Sequence, residues 1–108
     1  MDRNKMKILI PHLGYTVYIK DKKLAKGLVK NYLVKMEACR ETINNNSSII
    51  WIKLPIKPID VPTLAHEVIH VLQHIAKEKD IDFIKEEEHF AYLMHFILNT
   101  TLGYEYYI

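Results

Sequence analysis

The stretch that decides how this chain folds is TLAHEVIHVLQH, Thr63 to His74, in which three histidines recur at four-residue intervals. That spacing brings His66, His70 and His74 to one side of an α-helix, each about 6 Å along the axis from the next. The residues between and beside them, Leu64, Ala65, Val68, Ile69, Val71 and Leu72, are apolar, which predicts a nearly buried helix. It should run from about Pro62 to Lys79: Asp60 or Thr63 can cap it, proline is tolerated in a first turn, and the apolar positions end at KEKDID.

Downstream, Asp82 should open a second helix. EEE, Glu86 to Glu88, complements its dipole, and FAYLMHFIL is apolar almost all round. Gly103 is expected to close that helix, leaving the aromatic tail YEYYI as a small strand or a packed terminus.

Upstream, LPIKPIDVP carries three prolines and reads as an extended connector. Before it, Val34 to Glu41 and Ser48 to Leu54 flank an Asn-rich turn, and SIIWIKL is rich in β-branched and aromatic residues, so a hairpin is expected. Lys20 to Tyr32 places Leu24, Leu28 and Tyr32 on one stripe of a short amphipathic helix, and Lys7 to Ile19 reads as strand, turn and strand. These elements make an α+β domain in which a small antiparallel sheet packs on the histidine helix and its successor.

A chain of 108 residues, 49% of them hydrophobic, buries one core, so residues 1–108 are expected to form one domain. No apolar run approaches the roughly 18 residues of a bilayer span and MDRNKMK lacks the core of a signal peptide, so a soluble, cytoplasmic protein with no membrane partner is expected. The single cysteine, Cys39, excludes an internal disulfide and a thiolate-rich zinc site, leaving His and carboxylate to hold any metal. Residues 1 to 60 carry 12 Lys or Arg against 5 Asp or Glu, and residues 61 to 108 carry 3 against 8. The basic half lacks the interleaved aromatics of a nucleic-acid stripe, so its lysines are read as solvated outer faces and nucleic acid is the weakest candidate partner.

His66, Glu67 and His70 spell H-E-x-x-H. Histidines four apart can reach one ion, and a glutamate beside the first leans towards the place of a metal-bound water, whose proton it can take. Composition alone would produce the motif in roughly 2% of such chains, and the competing reading is a pair of histidines satisfied within a hydrophobic helix. Buried histidines and a buried glutamate are costly unless paired or metal-bound, which favours the metal reading. His74 stands about 12 Å from His66 on a straight helix, too far to share an ion with it. It is read as a helix-surface residue or one that supports a ligand.

A hydrolytic zinc site needs a third protein ligand, and EEEHFAY, Glu86 to Tyr92, offers three glutamates on the following helix. Here the sequence resembles the gluzincins, which complete H-E-x-x-H with a Glu from a later helix. Specifically, it resembles small phage- and prophage-encoded zinc-peptidase-like proteins with a following E-x-F-A-Y. The resemblance covers about residues 48 to 98 and implies a minimal zincin-like fold holding Zn²⁺ through His66, His70 and Glu88. Ala91, one turn beyond Glu88, is small enough to let the two helices approach, Tyr92 extends the same face, and His95 lines the cleft or is simply buried.

The resemblance also implies extended substrate paired with a strand beside the cleft, for which SIIWIKL is the candidate edge. The leading expectation is a zinc metallopeptidase acting on a protein or peptide, in the host cytosol if phage-encoded. In it Glu67 serves as general base, and Tyr92, His95 or one of Tyr104, Tyr106 and Tyr107 steadies the oxyanion. The competing expectation is a zinc-stabilised, non-catalytic module that grips a protein partner.

Overall fold

In the computed structural model residues 5–107 are described, with side chains up to 103. Strand β1 (Lys5–Ile10) returns through a tight turn at Pro11–Leu13 into β2 (Tyr15–Asp21), with Gly14 in the left-handed conformation that closes it. A second such turn at Lys22–Leu24 leads to helix α1 (Gly27–Leu33), then the hairpin β3 (Ala38–Asn44) and β4 (Ser47–Ile52). After a turn at Pro58–Asp60 come the two long helices, α2 (Val61–Glu78) and α3 (Glu87–Tyr107).

The four strands form one sheet in the order β1-β2-β4-β3. Its two hairpins are antiparallel, but β2 and β4 run parallel, joining Thr16 to Ser47 and Asp21 to Ile52 in register. The sheet is therefore mixed where an antiparallel one was expected. The passage through α1 and β3 carries the chain past β2, so that β4 comes back beside it in the same direction. This also corrects the place of SIIWIKL. Every residue of β4 is buried, as in a strand covered on both faces, and the free edge next to α2 is β3.

The two faces of β4 explain the layers. Ile50 and Ile52 point into the main core with Val17, Ile19, Leu64, Val68, Leu72, Phe90 and Ile97, beneath α2 and α3. Ile49 and Trp51 point the other way, into a smaller cluster with Leu33 under α1. The stripe expected to bury α1 faces out instead: Leu28 is 85% exposed and Tyr32 54%. Leu33 and the half-buried Val29 make the contact, because the helix begins only at Gly27.

Helix α2 matches its expected span to within a residue at each end, with Pro62 in its first turn. The carboxylate of Asp60 does not cap it and instead accepts from the Lys57 N–H at 3.0 Å. Asp80 adopts a left-handed conformation just past its end, and the Ile81 N–H reaches back to the Ala76 carbonyl at 2.9 Å. Asp82 opens a turn rather than α3, its Oδ1 accepting from the N–H groups of Ile84 and Lys85. Gly103 does not close α3, which continues to Tyr107. No described helix is long and apolar enough to cross a membrane.

Candidate metal centre

Helix α2 lies over β3 and β4 with Leu64, Val68, Val71, Leu72 and Ile75 inward. Rotating from that stripe puts Glu67 at the margin of the core and His66 and His70 beyond it. The expectation of a nearly buried helix holds for only one side: the His66 side chain is 70% exposed, whereas Glu67 is 7% exposed. The buried titratable group at this site is thus the glutamate, with His66 open to solvent and His70 half-buried.

The two rings meet edge to face, with Nε2 of His66 3.3 Å from Nε2 of His70. Two imidazole nitrogens bound to one tetrahedral ion at about 2.0 to 2.1 Å lie about 3.3 to 3.4 Å apart. The separation fits two ligands of one ion and equally an N–H···N hydrogen bond from one ring to the other. A carboxylate oxygen of Glu67 lies 4.0 Å from the same His66 nitrogen.

These three residues form one wall of an open cleft of about 440 Å³. Cys39, Arg40 and Glu41 of edge strand β3, with Leu28, Val29, Tyr32 and Met36, complete its lining. Glu41 is held by the indole of Trp51, whose Nε1 donates to Oε1 at 3.1 Å. Burial, and then the carboxylates of Glu67 and Glu41, push the Cys39 thiol up against the opposing effect of Arg40, and this rise disfavours the thiolate. Arg40 donates through Nη1 to the Thr42 hydroxyl, while its Nε is buried with no hydrogen-bond partner among the described residues.

His74 belongs to a different structure. Its Nδ1 lies 2.6 Å from the hydroxyl of Tyr15, which is itself 2.5 Å from the Ser48 hydroxyl, and its Nε2 faces Glu78 at 3.6 Å. With the Nε2 proton turned to the carboxylate, Nδ1 accepts from Tyr15 and Ser48 donates to the tyrosine oxygen. His74 is consequently neither a ligand nor a surface residue. It ties α2 to β2 and β4 through a buried chain of hydroxyls, and burial holds its pKa below the ordinary value, with Glu78 opposing and Arg40 and Lys77 assisting.

Helix α3 buries Phe90, Leu93, Ile97 and Thr101. The stripe of Glu88, Ala91, Tyr92 and His95 was expected to face α2, and all four residues are exposed on the outer side instead. Among the described residues no three His, Cys, Asp or Glu side chains are gathered as a metal site would gather them, so Glu88 does not stand with His66 and His70. The alleged helix-to-helix approach at Ala91 is replaced by contacts of bulkier side chains on the opposite stripe. Tyr104, Tyr106 and Tyr107, the other candidate donors, lie outside the described side chains.

Sequence reasoning missed Arg40 and Tyr15. Alternation along β3 would have put Arg40 on the same face as Ala38 and Thr42, but nothing in the order of residues says that this face lies under His70. No family model, curated protein or solved structure matches the chain.

Proposed function

We propose that this chain is a metal-dependent hydrolase of peptide bonds, with a zincin-like site reduced to one helix and one strand edge. The observation that carries the reading is the 3.3 Å separation of the His66 and His70 nitrogens with the Glu67 carboxylate 4.0 Å from the first. His66 and His70 would supply two of the three protein ligands that a hydrolytic zinc site needs, and no third His, Cys, Asp or Glu is gathered with them among the described residues; an ion bound there would polarise a carbonyl and bring the pKa of a water towards neutrality.

Everything else falls to the chain. Glu67, buried where α2 lines the cleft, takes the proton of the attacking water and hands it to the leaving amine. Strand β3 pairs with β4 on one side only, so its other edge can align an extended peptide by main-chain hydrogen bonds. Leu28, Tyr32 and Met36 receive apolar side chains of that peptide. The guanidinium of Arg40, with a donor lacking a partner among the described residues, supplies the positive charge for the developing oxyanion in place of Tyr92 or His95. Glu88 is left out of this ligand set because of its place on the outer stripe of α3.

That same place of Glu88 favours a second reading, a metal-held module that grips an extended peptide on β3 without cutting it. Incubating the full chain with one equivalent of ZnCl₂ and a mixed peptide library, read by mass spectrometry, separates the two. For the hydrolase, Glu67→Gln retains zinc and loses about 10² to 10⁴ in cleavage rate. Zinc binding with no cleavage by the unaltered chain leaves the module, and failure to bind zinc at all ends both.

A further inference from the structure

A second histidine pair lies at the far side of the sheet, outside the cleft. His12 sits in the turn that ends β1, and His89 in the first turn of α3. The two are 77 residues apart in sequence, yet their Nε2 atoms are 3.1 Å apart and their rings stack at 5.2 Å with an interplanar angle of 27°.

The position of His89 is built rather than loose. Its ring stacks on Phe90 at 5.7 Å, and Phe90, only 2% exposed, stacks on Phe83 at 4.6 Å. This column of rings fixes where the His89 nitrogen points. His12 meets it from a turn whose backbone is set by Pro11 and by the left-handed Gly14.

Two ring nitrogens at this distance are joined either by an N–H···N hydrogen bond, one neutral ring donating and the other accepting, or by a cation that both lone pairs bind. Nitrogens bound at about 2.0 to 2.1 Å and separated by 3.1 Å subtend an angle of roughly 100° at the ion, between octahedral and tetrahedral values. His12 is exposed, so an ion can enter and water can fill its remaining positions. Imidazole pairs select zinc, nickel and copper, whereas calcium and magnesium want oxygen.

We propose that His12 and His89 form a second divalent-metal site, a clasp that fastens the start of α3 to the end of β1. The unfolded chain has no such pair, since its members are brought together only by the fold, so the ion stabilises the folded state by mass action. The proposal does not depend on the function assigned to the α2 cleft.

The test is zinc titration by calorimetry and thermal unfolding of the full chain carrying His66→Ala and His70→Ala, which silences the cleft pair. One equivalent of Zn²⁺ should still bind, and saturating zinc should raise Tm by about 5 °C. Adding His12→Ala should abolish both effects. The proposal is overturned if the double variant binds no zinc, meaning that the two imidazoles share only a proton, or if binding survives His12→Ala. Should the double variant fail to fold, the count is made on the otherwise unaltered chain: His12→Ala must lower its zinc content by one equivalent, and an unchanged content overturns the clasp. Loss of only the cleft equivalent in His70→Ala tests the hydrolase reading separately.

Discussion

Helices α2 and α3 lie on the same face of the sheet and both read as helices from sequence, but they differ in how sharply their letters divide into faces. In α2 the apolar residues form one stripe and the titratable ones another, so periodicity fixes its rotation. In α3 apolar residues run nearly all round, and two stripes compete for the core: Glu88, Ala91, Tyr92 and His95, or Phe90, Leu93, Ile97 and Thr101. The second wins because it offers three large apolar side chains, where the first would bury a carboxylate and an imidazole. A helix that is apolar on every side carries little information about its own orientation.

The contrast is broken most directly by truncating one residue from each side. Leu72 of α2 is 1% exposed, and Leu72→Ala should cost about 2 to 5 kcal/mol by urea unfolding. Tyr92 of α3 is 66% exposed, and Tyr92→Ala should stay within about 0.5 kcal/mol. Similar losses at both positions would mean that α3 is turned by half a rotation.

The same rotation decides the ligand set. Zinc affinity at the cleft, measured by competition with a chelator, should fall at least about 100-fold (about 2.7 kcal/mol) in His70→Ala. In Glu88→Ala it should stay within about twofold, because Glu88 is exposed on α3 and is not gathered with the pair. A tenfold loss on removing Glu88 would show that α3 re-docks around the ion, restoring the arrangement that the gluzincin resemblance implies.

What could be read in advance follows from the range of each interaction. His66, Glu67 and His70 are separated by one helical turn, so their mutual geometry is a local property and was legible as letters. The hairpin around Asn44 to Asn46 was legible for the same reason. Neighbours that only the fold brings together were not: Arg40 under the cleft, Tyr15 on His74, His12 on His89. The parallel pairing of β2 with β4 belongs with them, since alternation identifies a strand but not the partner beside it.

Within α2, His74 shows how a third histidine in perfect register came to serve structure. Its pKa is lowered, chiefly by burial, so the folded protein prefers the neutral ring that accepts from Tyr15. A lowered folded value means that the unfolded chain takes up the proton first as the pH drops. The resulting stability is present in full above the unfolded value of about 6.5 and is lost as the pH falls through the lower, folded value. Urea midpoints followed from pH 7.5 to 5 should therefore decline, and His74→Gln should flatten that part of the decline. A profile in His74→Gln as steep as the original would assign the effect to other groups.

The smallest effect concerns the end of α3 and is decided by its sign. Gly103 lies within the helix, and a Cβ built on it meets nothing within 4 Å. Alanine there removes the backbone entropy that glycine loses on folding, without a clash, so Gly103→Ala should raise stability by about 0.5 to 1 kcal/mol. Had Gly103 closed the helix in the left-handed conformation, as its letter suggested, alanine would be strained there and the same substitution would destabilise. A stabilising shift in the urea midpoint therefore supports a helix that runs on to Tyr107. A destabilising one would return the closing role to Gly103 and shorten α3.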